Sequence, residues 1–239
     1  DLMTSNQDNM LFNFDGSVNQ TNPIFSYDQN QRHTRIGKFL VDLLLETDDP
    51  RLPRMVKLNV DNEYKGSAPG QSLHTASYIG PALASPDSPV LFATYAEQKF
   101  IEAEIYYRAS QQSMADAAYA AGVRASLEFF NVSDPEWETE NADKTDVSLE
   151  DIITAKYLAL FLQPEVWSDY RRTGFPSLTP FDPNAPYQEK DDNGDDNGDE
   201  ETEPQIPRRY VYPQREINNN SDNMPAGVTI FSRVWWDRE

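Results

Sequence analysis

The chain has 239 residues and a formal charge of -20, with 40 acidic and 20 basic side chains, two histidines and no cysteine. Nucleic acid and anionic lipid are excluded as partners, because no segment offers the clustered Lys and Arg that releases counterions. Disulfides, thiolate catalysis and cysteine-based metal centres are excluded as well.

A hydrophobic fraction of 38% is low, but 12 Tyr, 12 Phe and 4 Trp supply large apolar faces. One globular domain over residues 1–239 with long polar loops is expected. Asp1-Leu2-Met3-Thr4-Ser5-Asn6 lacks the basic start and apolar run of a signal peptide, which leaves a cytosolic protein or a fragment of a longer exported one. Residues 1–31, rich in Asn, Gln, Asp and Ser, show no sustained period and read as an ordered loop. Ile36, Phe39, Leu40, Leu43 and Leu44 recur at helical spacing, and Asp49-Pro50-Arg51-Leu52-Pro53 stops that helix. Residues 54–60 suit a short strand. The stretch from Asn59 to Pro89, studded with Gly and Pro, is unusually long for a loop in a compact domain and is a functional candidate.

Two clear helices follow. Leu91, Phe92, Tyr95, Ala96, Phe100, Ala103 and Tyr107 mark the first, and Ala117, Ala118, Ala121, Ala125, Leu127 and Phe130 the second. The pair is close to one tetratricopeptide unit in length, and its small residues permit tight antiparallel packing. Residues 134–151 hold eight acids and one lysine and suit an exposed loop. Ile152 to Leu162 and Pro164 to Arg172 read as a second helical pair, with Pro164 in the first turn of its helix. After Gly174, prolines dominate an irregular tail that side-chain packing must hold, with Tyr210, Tyr212, Phe231, Trp235 and Trp236 available for it.

Sugar binding needs aromatic faces flanked by polar groups. Tyr64, Gln71, His74 and Tyr78 of the long loop supply both, and Trp137 sits isolated in the acidic stretch with no helical period to hide it. The alternative for each is that it pins its own loop to the body. Residues 189–203 carry nine acids and one lysine, so they hold -8 of the charge and leave -12 elsewhere. Read from Glu189, this acidic insertion nearly matches a calcium-loop register, with Asp191, Asn193, Asp195, Asn197 and Glu200 as candidate oxygen ligands for a structural calcium. Flanking prolines and the lack of bordering helices exclude an EF-hand proper, and a solvated acidic loop is the favoured reading. Neither His33 nor His74 sits in a metal spacing or beside a nucleophile. Glu97, Glu102 and Glu104 are read as helix-surface charge or as contacts within the helical pair.

Four stretches stand in a familiar order. They are Asp49-Pro50-Arg51, then Tyr95-Ala96-Glu97 with Phe100-Ile101 and Ala103-Glu104, then Trp167-Ser168-Asp169-Tyr170-Arg171-Arg172-Thr173-Gly174, and finally Ile206-Pro207-Arg208-Arg209-Tyr210-Val211-Tyr212-Pro213 with Glu216, Asn219-Asn220 and Val234-Trp235-Trp236-Asp237. Together they resemble the C-terminal portion of the SusD/RagB family of nutrient-binding outer-membrane lipoproteins. The resemblance implies a mainly α fold of tetratricopeptide-like helical pairs with long irregular loops and an irregular Pro- and aromatic-rich tail. It implies a non-catalytic, cell-surface protein that binds oligosaccharides, or in some members peptides, for a SusC-like TonB-dependent transporter. Membrane association would come only through an N-terminal lipid anchor, which with the earlier repeats is expected to lie outside this chain. Arg208, Arg209 and Glu216 are expected to pair, and Trp235 and Trp236 to lock the terminus onto the core. A helical-repeat scaffold for protein segments is the alternative of a different class, and a glycoside hydrolase with paired carboxylates ranks last.

Overall fold

The computed structural model describes residues 2–31, 34–70, 74–180 and 205–237. The polar opening stretch is more ordered than its composition suggests. Ser5 and Asp8 cap a single 3-10 turn reciprocally. Met3 exchanges two backbone hydrogen bonds with the Gln98 side chain, and Asn6 donates to the Ala125 carbonyl at 2.8 Å. Where a loop was expected there are also a strand, β1 (Met10–Phe12), and a helix, α1 (Pro23–Gln31). Asn22, fully buried, starts α1 by accepting from the Ile24 and Phe25 amides and donates to the Ser88 carbonyl. A polar cap, not an apolar stripe, makes this helix, and so the period was silent.

α2 (Lys38–Glu46) buries Leu40, Val41 and Leu44. It ends at Glu46, earlier than the proline-rich stretch. Pro53 does not end a helix; it stands in the first turn of a new one, α3 (Leu52–Met55), where its missing N–H leaves nothing unpaired. Between the two, Arg51 and Asp49 are only 2% and 3% exposed. The guanidinium forks onto Asp49 (Nε–Oδ1 2.9 Å, Nη2–Oδ2 2.5 Å), donates to Ser126 Oγ at 2.9 Å and lies over the Trp137 ring.

The expected strand at 54–60 shrinks to β2 (Val56–Lys57), which pairs antiparallel with β3 (Tyr78–Ile79) and so closes the base of the long loop. Two glycines allow that loop to lie flat on the body. A Cβ at Gly66 would come within 2.3 Å of the Lys38 Cα, and one at Gly80 within 2.4 Å of the Arg54 carbonyl, so no other residue fits either place. Leu91 and Phe92 fall in β4 (Val90–Ala93), paired with β1, and not in the helix that follows.

That helix, α4 (Tyr95–Arg108), begins when Thr94 Oγ1 accepts from the Glu97 amide. It packs antiparallel on α5 (Gln112–Phe129), with Ala115, Ala118 and Ala125 buried at the contact. Gly122 faces the ring of Phe100, which is fully buried; an added Cβ would sit 3.0 Å from it. Inside the acidic stretch that was expected to be an exposed loop lies α6 (Pro135–Asn141), capped by Asp134 through the Trp137 amide. α7 (Leu149–Ala159) opens on a Ser148–Asp151 capping box, and α8 (Glu165–Thr173) ends at Gly174 with φ +77°. Pro164 is the residue before α8, one step outside the first turn. Among the described residues the tail holds one further α-helix, α9 (Gln214–Asn219), followed by a 3-10 turn at Ser221–Asn223.

A chain of charges joins three of these helices. Lys156 of α7 meets Asp169 of α8 at 2.8 Å, Arg172 bridges Asp169 and Glu104 of α4, and Arg108 closes on Glu104 at 2.8 Å. Burial raises the Glu104 pKa, but the hydrogen bonds from Arg172 and Arg108 outweigh it and hold the carboxyl below the ordinary glutamate range.

Replacing Asp49 by Ala leaves the Arg51 charge buried and unpaired, and should lower the unfolding free energy in urea by about 3–5 kcal/mol. The double change Asp49→Ala, Arg51→Met should cost clearly less. Glu104 works through pH. Because its folded pKa is depressed, its contribution is complete above the ordinary glutamate value of about 4.3 and is lost as pH falls below it. Thermal melts between about pH 5 and pH 3 should therefore fall more steeply for the native chain than for Glu104→Gln.

Candidate functional site

The exposed stripe of α2 faces two irregular segments and leaves a groove of about 700 Å³. Phe39 and Leu43 form one wall, Ala68 and Pro69 of the long loop a second, and Leu178, Ile206 and Pro207 the third. Lys38, Asp42, Glu46, Ser67, Ser177, Thr179 and Gln205 ring these apolar surfaces with polar groups. The Phe39 ring is braced edge-on by Tyr157 at 5.7 Å. The loop wall is fastened to the start of α2 by backbone bonds in both directions, Ser67 N to the Ile36 carbonyl and Lys38 N to the Ser67 carbonyl, each 2.8 Å. An apolar floor with a polar rim of this kind suits a ligand that has flat apolar faces and many hydroxyls.

The third wall depends on the tail. Trp167 of α8 donates its indole N–H to the Pro207 carbonyl at 2.9 Å. Arg171 lies between the rings of Trp167 (3.9 Å) and Trp236 (4.5 Å) and donates to the Arg208 carbonyl. Arg208 forks onto Asp237, which is 1% exposed, and donates to the Arg171 carbonyl. These hydrogen bonds hold the Asp237 carboxyl below its ordinary range. The signature arginine thus pairs with Asp237, not with Glu216, which instead accepts from Asn220. Arg209 stacks over Tyr212 at 4.8 Å. Of the two terminal tryptophans Trp236 stacks on Arg171, whereas Trp235 is 81% exposed and does not serve as the buried lock that was expected.

The loop residues singled out from sequence do not converge on the groove. Tyr64 packs against the core around α2, Tyr78 lies in β3 beneath the Arg35 guanidinium at 4.1 Å, and His74 is exposed with its carbonyl accepting from Arg35. Their loop reaches the groove through Ser67, Ala68 and Pro69 instead. Asn59 stitches the loop from inside, accepting from Asp61 and Glu63 and donating to Thr75. Trp137 is 9% exposed on α6, donates its indole N–H to the Thr47 carbonyl at 2.8 Å, and borders a separate, smaller pocket. Gln71 and the candidate calcium ligands Asp191, Asn193, Asp195, Asn197 and Glu200 lie outside the described residues. Among the described residues no cluster of three His, Asp or Glu is arranged to hold a metal, and no helix is long and apolar enough to cross a membrane. Sequence reasoning placed Phe39 only in a helical stripe and Ile206 only in the signature stretch, and gave Leu178 no role. Their meeting depends on contacts between distant parts of the chain, for which no local signal exists.

Residues 1–213 match the family described as SusD-like, starch-binding and associating with the outer membrane. Among solved structures, a chitin-binding protein is 25% identical with a TM-score of 0.71, covering 99% of this chain and 57% of that one. A SusD homologue from Bacteroides fragilis is also 25% identical with a TM-score of 0.71, covering 99% and 59%. A chitin-binding SusD homologue from Flavobacterium johnsoniae, at 24% identity, TM-score 0.72 and coverage of 98% and 55%, shares the fold. The chain therefore spans less than three fifths of the length of these structures. No match is found among the curated proteins.

Arg208→Met should release the Ile206–Pro207 wall while the helical body stays folded. Hydrogen exchange at residues 206–237 should rise by at least tenfold, while protection in α4 and α5 is unchanged.

Proposed function

The chain belongs to the SusD-like family, and on that premise we propose that it is the C-terminal part of a non-catalytic capture protein that binds an oligosaccharide in the groove beside α2. In this reading the full-length protein is lipid-anchored at the outer face of the outer membrane and hands its ligand to a SusC-like TonB-dependent transporter. The groove carries the proposal. It joins a braced aromatic ring and apolar walls to a rim of hydroxyl, amide, carboxylate and ammonium groups, the combination a sugar chain needs. The starch-binding description of the family and the chitin-binding neighbour support a glycan over a peptide. Its charges favour a neutral ligand, since Lys38 is already paired with Asp42 and Glu46 adds a further negative group.

Calorimetric titration of the full-length protein with starch-derived and chitin-derived oligosaccharides, and with peptides, tests this reading when each mixture is then analysed by mass spectrometry. Saturable binding of an uncleaved glycan is expected, weakened at least tenfold by Phe39→Ala, the scale of losing one stacking face. Cleaved product, binding of peptides alone, or affinity indifferent to Phe39→Ala would each overturn it.

A further inference from the structure

Past the Phe39 ring, the groove beside α2 changes character. Among the described residues that line it Phe39 is the only aromatic one, and the other apolar surface is aliphatic and prolyl, from Leu43, Leu178 and Ile206 and from Pro69, Pro180 and Pro207. A flat ring suits the C–H face of a sugar. Branched and prolyl walls offer no second flat face, but they pack closely around a methyl group. Against the hydroxyl edge of an unsubstituted sugar they would take water from polar groups without replacing its hydrogen bonds. We propose that the groove selects oligosaccharides whose sugars carry acetamido groups, with the methyl of that group seated among Leu43, Leu178 and Ile206. The inference rests on the groove being the glycan site.

The polar groups of the rim fit the amide of that substituent. Phe39, Asp42, Leu43 and Glu46 fall at i, i+3, i+4 and i+7 of α2, so ring, carboxylate, aliphatic group and carboxylate follow one another along one face. Glu46 is exposed and enters no hydrogen bond or ion pair among the described residues, and Asp42 uses only Oδ2, to accept from Lys38. Both can therefore accept from an amide N–H. On the third wall the Thr179 hydroxyl and the Gln205 amide are likewise uncommitted among the described residues, and both can donate to the amide carbonyl. The neighbouring Ser177 hydroxyl already donates to Glu150. An acetamido group thus finds acceptors on one wall, donors on another and aliphatic surface between them. A ring hydroxyl in its place engages one partner and leaves the aliphatic surface against water.

Charge and methyl burial pull apart when the acetyl group is removed. Lys38, Asp42 and Glu46 leave the α2 rim with a single net negative charge, which attracts the ammonium of a deacetylated amino sugar. That ammonium would stand where the aliphatic side chains are, and placing a charge against them is unfavourable. The acetylated sugar keeps the hydrogen bonds to the rim and adds the methyl contact.

Calorimetry of the full-length protein with chito-oligosaccharides, cello-oligosaccharides and fully deacetylated chito-oligosaccharides of equal length isolates the substituent, because the three share one linkage and differ in one group per sugar. The acetylated chain should bind at least tenfold more tightly than the cello chain, the scale of one buried methyl and one hydrogen bond to a charged acceptor. Glu46→Ala and Leu178→Ala should each narrow that ratio to about threefold or less. Glu46 is exposed and Leu178 lies outside both clusters of the core, so these variants should melt as the native chain does. Failure of the acetylated chain to bind, equal affinity for the cello chain, tighter binding of the deacetylated chain, or a ratio untouched by both substitutions would overturn the acetamido preference, while capture of some other glycan could still stand. Glycan affinity indifferent to Phe39→Ala would instead remove the groove as the site, and this inference with it.

Discussion

The guanidinium of Arg51 sits almost without solvent and gathers three parts of the fold around itself. It takes both oxygens of Asp49, two residues away, bonds Ser126 in the last turn of α5, and lies against the ring of Trp137 on α6. A buried charge costs several kcal/mol of desolvation, so it persists only where every donor is answered and the partner is held rigidly. Pro50 between the two residues restricts the short link, and the backbone amide of Arg51 also bonds Asp49. From this knot the end of α2, the start of α3 and the last turn of α5 take fixed relative positions. The groove beside α2 inherits them.

A second set of arginines does for the tail what Arg51 does for the body. Among the described residues after Gly174 there is little regular structure, so few of their backbone groups are answered by a ladder or a helix. Arg171 and Arg208 each donate to the other's carbonyl, and Arg208 also clamps Asp237 near the end of the chain. A planar donor fork can satisfy irregular backbone and stack on a ring at the same time, which is what Arg171 does between Trp167 and Trp236. The groove wall at Ile206 and Pro207 thus owes its place to residues that do not line the groove.

The ionic chain from Lys156 through Asp169 and Arg172 to Glu104 joins α4, α7 and α8 by a different route. The contact of α4 with α5 is built from small residues and one fully buried phenylalanine, and it is selective by shape. The contact with α8 is selective by charge. The acids and bases of these helices are therefore answered by one another inside the protein.

The sequence by itself determined the helical pair, the second pair and its end at Gly174, and the family. These features come from local rules of period, capping and turn chemistry, or from motifs that stay in order along the chain. It missed α1 and α6, because capping side chains at Asn22 and Asp134 start them in composition that has no apolar stripe. The site was less legible still. Aromatics in a long loop looked free to bind, yet Tyr64 and Tyr78 are engaged in packing and stacking, while Phe39, read only as one residue of a helical stripe, faces the groove. Only the tertiary structure decided this, since the groove joins residues 37–46, 67–69, 177–180 and 205–207. Neighbours across such separations are set by how helices pack and by which charges find one another, and neither leaves a trace in the spacing of residues along the chain.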